Sequence, residues 1–231
     1  MAIGTVVAER ARMWRNNSLS IVLTILFAAC LVAHSWSGLH HFNAEQREHD
    51  EAEVSYLEFV ASPEFGETVF ENWESEFLQM AFYVFLTVFL RQKGSAESKK
   101  IDEREEVDED PADHRDDAKA PGPVRKGGWL LSLYKNSLGL ALSALFLISF
   151  VGHAWAGARK FNEEQLQHGA KVNLTPIEYM GTSAFWYESF QNWQSEFLAV
   201  LGIVVLSIWL RQWGSPESKP VHAPHEATGS S

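Results

Sequence analysis

Cysteine is almost absent from this chain: Cys30 is the only one, so no disulfide can form within it. A surplus of positive charge is absent as well. The 231 residues carry a formal net charge of −11, which would repel nucleic-acid phosphates and excludes that class of partner. The sequence offers no nucleophile constellation, no phosphate-binding loop and no carboxylate pair of the hydrolase kind, so no enzymatic activity and no cofactor are expected. Lysine and arginine are missing from four apolar stretches, Leu19 to Gly38, Ser75 to Leu90, Leu138 to Gly157 and Ser195 to Leu210.

Crossing about 30 Å of hydrocarbon takes about 20 mostly apolar residues in a helix. The first and third stretches meet that length, and the second and fourth extend at their outer ends through Trp73 and Trp193. In lipid a lone segment satisfies its backbone only as a helix. Arg10, Arg12 and Arg15 precede the first stretch, and Phe27-Ala28-Ala29-Cys30 faintly resembles a lipoprotein cleavage site. The apolar run nevertheless continues past Cys30, and the third stretch matches the first in mid-chain with Ser149 at the Cys30 position. A retained spanning helix is therefore expected rather than a cleaved signal.

Cationic residues orient the spans. The N-terminal tail, the segment Arg91 to Lys135 and the C-terminal tail hold three, ten and two Lys or Arg, against four elsewhere: Arg47, Arg159, Lys160 and Lys171. Both termini and the central segment are expected in the cytoplasm. The nine tryptophans fall at the two ends of the stretches, as an aromatic belt would.

An internal duplication organises the chain. Asn17-Ser18-Leu19 matches Asn136-Ser137-Leu138, and His34-x-Trp36-x-Gly38 matches His153-x-Trp155-x-Gly157. Phe42-Asn43-x-Glu45-Gln46 matches Phe161-Asn162-x-Glu164-Gln165, and His49 matches His168. After a one-residue slip, Asn72-Trp73-x-Ser75-Glu76-Phe77-Leu78 matches Asn192-Trp193-x-Ser195-Glu196-Phe197-Leu198. Both copies end in Arg-Gln-x-Gly-Ser-x-Glu-Ser-Lys, at Arg91 and Arg211. Each copy enters and leaves on one side, so the copies are parallel repeats.

The expected fold is an all-α membrane protein, with four transmembrane helices from two parallel tandem two-helix repeats and outer helix ends extended beyond the bilayer. The repeats occupy 14–97 and 129–215. The acidic segment 98–128 reads as a disordered cytoplasmic linker and 216–231 as a disordered tail, since neither has much to bury. The duplicated H-x-W-x-G, F-N-x-E-Q and N-W-x-S-E-F-L motifs resemble a family of bacterial integral membrane proteins catalogued only as a domain of unknown function. That resemblance covers nearly everything outside linker and tails. It implies the bacterial inner membrane and carries over no activity, cofactor or catalytic residue.

Two groups of residues stand out as candidate sites. On the first helix His34, Gly38, Phe42, Glu45 and His49 fall within roughly an 80° arc, and His153, Gly157, Phe161, Glu164 and His168 repeat the pattern. An inter-helix seam is the favoured reading of this stripe, with a lined vestibule as the alternative. The second group is a polar cluster of His34, Asn72, Glu76, His153, Asn192 and Glu196. Rise along the helices puts Glu76 about 22 Å above Arg91 and His34 about 25 Å above Asn17, so two His–Glu pairs, His34–Glu76 and His153–Glu196, are expected near the outer interface. Ionisable groups in a membrane helix are costly. They serve as interhelical hydrogen bonds, as a proton relay, or as ligands to a divalent metal or a haem.

The functional expectation is a non-catalytic scaffold or interaction protein. The alternatives are a small channel or proton-linked transporter using the His–Glu pairs, and a metal- or haem-binding membrane protein. Partners compatible with the sequence are the lipid bilayer, a second copy of the chain, and a protein docking on the linker or on the acidic outer surface. Between Leu39 and Glu71 that surface has nine acids against one base.

Overall fold

The computed structural model describes residues 2–170 and 172–229, with side chains from Arg12 onward. Lys171 and the side chain of Arg10, both counted among the loop charges, lie outside the described residues. In chain order the helices are α1 (Ala2–Glu48), α2 (Tyr56–Val60), α3 (Pro63–Phe89), α4 (Gly122–Lys126), α5 (Gly128–Tyr134), α6 (Ser137–Gln167), α7 (Pro176–Tyr179) and α8 (Ser183–Leu206). Two 3-10 turns, Glu106–Asp108 and Pro111–His114, lie between α3 and α4. There is no strand among the described residues. Arg12–Glu48 and Ser137–Gln167 are long and apolar enough to cross a membrane. The chain divides into two compact units, Met1–Gly66 and Glu67–Ser231.

In the first unit α2 folds back on α1, and the sequence motifs explain how. Gly38 leaves room for the Phe59 ring, which a Cβ there would meet at 2.8 Å. Phe42 packs on the same ring at 5.7 Å between centroids. Asn43 fixes the returning chain with two bonds: its Nδ2 donates to Val54 O at 3.0 Å, and its Oδ1 accepts from Val54 N at 2.9 Å. Ser55 and Glu58 then close a capping box on α2.

The second unit makes the same contacts at the matching positions. A Cβ on Gly157 would meet Tyr179 at 2.5 Å, and Phe161 lies 5.8 Å from that ring. Asn162 bonds both backbone groups of Leu174, at 2.9 and 2.7 Å. Thr175 and Glu178 form the capping box of α7. In both boxes the backbone N–H of the cap residue holds the glutamate below the usual carboxylate range, at Glu58 and at Glu178. A lowered folded value means that this contribution is present above the ordinary carboxylate pKa and disappears as pH falls through the lowered one.

The stripe face of α1 and α6 is thus partly covered by the chain's own return, at Gly38 and Phe42 and at Gly157 and Phe161. Its far ends stay exposed: Glu45, His49, Glu164 and His168 all face solvent. Here α1 and α6 stop in the same way. Asp50 (φ 56°) and Gly169 (φ 76°) adopt the left-handed conformation, while Glu51 N bonds Gln46 O and Ala170 N bonds Gln165 O, the bonds of a Schellman ending.

In the second unit α3 lies on α6, with Phe70 against Gly152 and Phe85 against Gly139. It also meets α8, with Phe82 5.8 Å from Phe197. The core is Ala154, Ala158, Tyr179 and Phe185. The Arg-Gln-x-Gly-Ser-x-Glu-Ser-Lys motifs end α3 and α8. Arg91 folds back to donate to Thr87, Val88 and Leu90 carbonyls, and Arg211 donates to those of Ser207, Ile208 and Leu210. These are the acceptors that a helix end leaves unpaired.

The composition of 98–128 and 216–231 predicts disorder, but among the described residues the structure gives 98–128 and 216–229 defined local bonding. Side chains supply the partners that an apolar core does not. Lys99 pairs with Asp108, Glu105 accepts from Lys100 N at 2.6 Å, and Asp110 caps the second 3-10 turn. In the tail Lys219 is 1% exposed. Its ammonium donates to the carbonyls of Gly94, Ile208, His225 and Ala227, which ties the tail to the end of α3.

Gly157→Ala should lower stability by about 1–3 kcal/mol, because the buried Tyr179 ring has to move. Gly202→Ala, in α8 with nothing within 4 Å of the added carbon, should be neutral or gain up to about 1 kcal/mol. Thermal unfolding in detergent, followed by circular dichroism, distinguishes the two.

Candidate functional site

Fully buried ionisable side chains need partners, because moving a bare charge out of water costs several kcal/mol. In the second unit His153 of α6 is 0% exposed, and so is Glu74 of α3. Both ring nitrogens of His153 face carboxylates: Nδ1 lies 2.7 Å from Glu74 Oε2, and Nε2 lies 3.3 Å from Glu188 Oε2. The ring also stacks on Phe185, 4.6 Å between centroids at 25°.

The carboxylates are held in turn by groups that can only donate to them. Trp193 Nε1–H donates to Glu74 Oε1 at 3.0 Å. Tyr179 O–H donates to Glu188 Oε2 at 2.8 Å. Burial and the Glu188 carboxylate push the Tyr179 phenol well above its ordinary range, so it stays a donor. An ionised carboxylate only accepts, and an imidazole donates from both nitrogens only as the cation. The arrangement therefore fits an imidazolium between two carboxylates.

The network continues along α3. Asn192 donates to Glu71. Glu67, 3% exposed, pairs with Lys160 at 2.6 Å. Glu67, Glu71 and Glu74 stand at i, i+4 and i+7, one face of a helix, and that face meets α6 and α8. Among the described residues no three His, Cys, Asp or Glu side chains are arranged to hold a metal ion.

The expected His153–Glu196 pair does not form, since His153 is taken by Glu74 and Glu188. Glu76 is two residues from Glu74, hence about 200° around the helix, and it faces outward. Glu196 is half-buried and offers its backbone carbonyl to Gln79 Nε2 at 3.1 Å. It lies close enough to Glu76 for their charges to interact. Asn72 is exposed and donates to its own helix at Thr68 O, whereas its counterpart Asn192 joins the network. His34 is exposed on α1, with its ring 5.3 Å from Phe65.

Sequence matching missed Glu67, Glu71, Glu74, Tyr179 and Glu188. They are the positions at which the copies differ: Glu74 matches Gln194, Tyr179 matches Phe59, and Glu188 matches Thr68.

The model of one protein family matches residues 10–230. The chain belongs to the family described as Domain of unknown function (DUF6766). No curated protein and no solved structure matches it. Within this DUF6766 chain, the His153 cluster is where the second unit concentrates its buried charge.

Glu74→Gln leaves the buried imidazolium short of a charge partner and should destabilise the protein by about 3 kcal/mol. Glu76→Gln, at an exposed position two residues away, should change stability by no more than about 0.5 kcal/mol. Paired denaturation curves in the same detergent test the contrast.

Proposed function

We propose that this DUF6766 protein is a non-enzymatic, four-span protein of the bacterial inner membrane whose second repeat holds a proton at His153 for proton-linked work. The distribution of Lys and Arg supports cytoplasmic termini. Spanning by α3 and α8 is supported by their 27 and 24 residues, more than about 20 being enough to cross hydrocarbon. It is also supported by large apolar side chains left facing outward, among them Phe85, Leu86 and Phe89 on α3 and Leu198, Leu201 and Leu206 on α8.

The observation that carries the proton reading is His153 itself, with 0% exposure and a carboxylate oxygen at each ring nitrogen. The first copy builds the same glycine-aromatic contact and the same capped return after α1, and its sequence has Phe59 and Thr68 at the positions that match Tyr179 and Glu188. Buried ionisable groups at membrane depth are functional by default, and imidazole exchanges its proton near neutral pH.

The scaffold reading keeps one observation in its favour: the stripe on α1 and α6 is partly closed by intrachain packing on Phe59 and Tyr179. That packing suits a rigid support.

Nitrogen-15 NMR of histidine-labelled protein in nanodiscs, with His153→Gln for assignment, reads the protonation state directly. The expected result at neutral pH is a proton on both ring nitrogens of His153. A singly protonated ring would overturn the reading.

A further inference from the structure

Along α3 the buried network does not stop at Glu74. Glu67, Glu71, Ser75, Gln79, Tyr83 and Thr87 follow at intervals of four residues, so each is the helical neighbour of the next. All six are buried or half-buried. Phe82, Phe85, Leu86 and Phe89, which share the lower turns, are exposed. From Glu67 to Thr87 the helix rises about 30 Å, the thickness of a hydrocarbon core.

Both ends of this polar thread reach water-accessible groups. At one end Glu67 pairs with Lys160, whose side chain is 25% exposed. At the other, Tyr83 O–H donates to Glu97 Oε2 at 2.7 Å. Tyr83 and Thr87 line an open cavity of about 490 Å³, together with Glu97, Lys99, Glu105 and Asp108. The acidic segment after α3 thus forms the wall of a vestibule at the thread's inner end.

We infer that α3 carries a transmembrane proton path, running from Glu67 and Lys160 through the His153 cluster and then by Gln79 and Tyr83 to the vestibule at Glu97. The inference rests on the reading of His153 as a proton-holding group. Carboxylate, imidazole, hydroxyl and phenol all give and take protons. A metal-ion path would instead need rings of carbonyl or carboxylate oxygens at successive levels.

At the cluster the step moves one proton and nothing else. A proton arriving on Glu188 passes to Nε2 of a neutral His153 that holds its proton on Nδ1, making the imidazolium. The Nδ1 proton then leaves to Glu74. The remaining proton stays on Nε2, and rotation of the side chain turns Nε2–H toward Glu74 and the bare Nδ1 toward Glu188, which protonates it and restores the imidazolium. The Glu74 proton moves on past Gln79, whose amide offers hydrogen bonds without being protonated, to the Tyr83 oxygen, while Tyr83 gives its own phenol proton to Glu97, which releases it to the vestibule.

The test uses the full chain in liposomes containing a pH-sensitive dye, with a potassium diffusion potential set by valinomycin. Wild type should acidify or alkalinise the lumen in the direction of the potential. Gln79→Leu and Tyr83→Phe, which leave every partner of His153 in place, should slow this by about tenfold or more. His153 NMR and gel-filtration profiles of the same variants separate a blocked path from a misfolded protein. Flux no greater than in protein-free liposomes, or flux unchanged in both well-folded variants, would overturn the path. If His153 still carries two protons in that case, the proton-holding site stands without it. If His153 carries one proton, the cluster reading fails instead.

Discussion

The placement of one imidazole between two carboxylates constrains everything around it in the second unit. An ionisable ring buried to 0% exposure at His153 is tolerable only if each neighbouring oxygen is itself satisfied. That requirement reaches outward. Glu188 needs Tyr179, and Tyr179 needs the space that Gly157 leaves. Tyr179 also sits in the apolar core with Ala154, Ala158 and Phe185. The polar network and the hydrophobic core therefore share one side chain, whose ring belongs to the core and whose hydroxyl belongs to the network.

Much of the architecture was legible in the sequence. The apolar stretches fall on α1, α3, α6 and α8, and α3 starts where Ser62 Oγ accepts from Phe65 N at 3.3 Å. The shared motifs turn out to be structural devices. Gly38 and Gly157 admit an aromatic ring, Asn43 and Asn162 pin the returning chain, and Arg91 and Arg211 close helix ends. Each works through backbone groups or close contacts, and so recurs wherever the same unit is built.

The candidate site was less legible, for a physical reason. Rise along a helix locates depth but not face. Glu76 and Glu196 were expected opposite the histidines because their depth was right. Glu74 differs from Glu76 by about 3 Å in depth and by about 200° in direction, and direction decides the pairing. Matching the copies also selects what they have in common, whereas the network draws on positions at which they differ, Glu67, Glu71 and Glu74 in the first copy and Tyr179 and Glu188 in the second. The Tyr179, Glu188 and Glu74 substitutions relative to Phe59, Thr68 and Gln194 were visible in the sequence as departures from the repeat. Their meaning appears once the fold brings all three to one ring.

The account separates building the fold from holding the proton, and one variant tests that separation directly. Glu74→Gln, Tyr179→Phe and Glu188→Thr each put in place the residue at the matching position of the other copy, namely Gln194, Phe59 and Thr68. Thermal unfolding of this triple variant beside wild type is the measurement. The account predicts a folded, helical protein with a midpoint within about 5 °C of wild type, since a neutral His153 in apolar surroundings no longer needs the lost carboxylates. A variant that fails to fold would show that the network is a structural requirement of the second unit, and would contradict the claim that it is there to hold a proton.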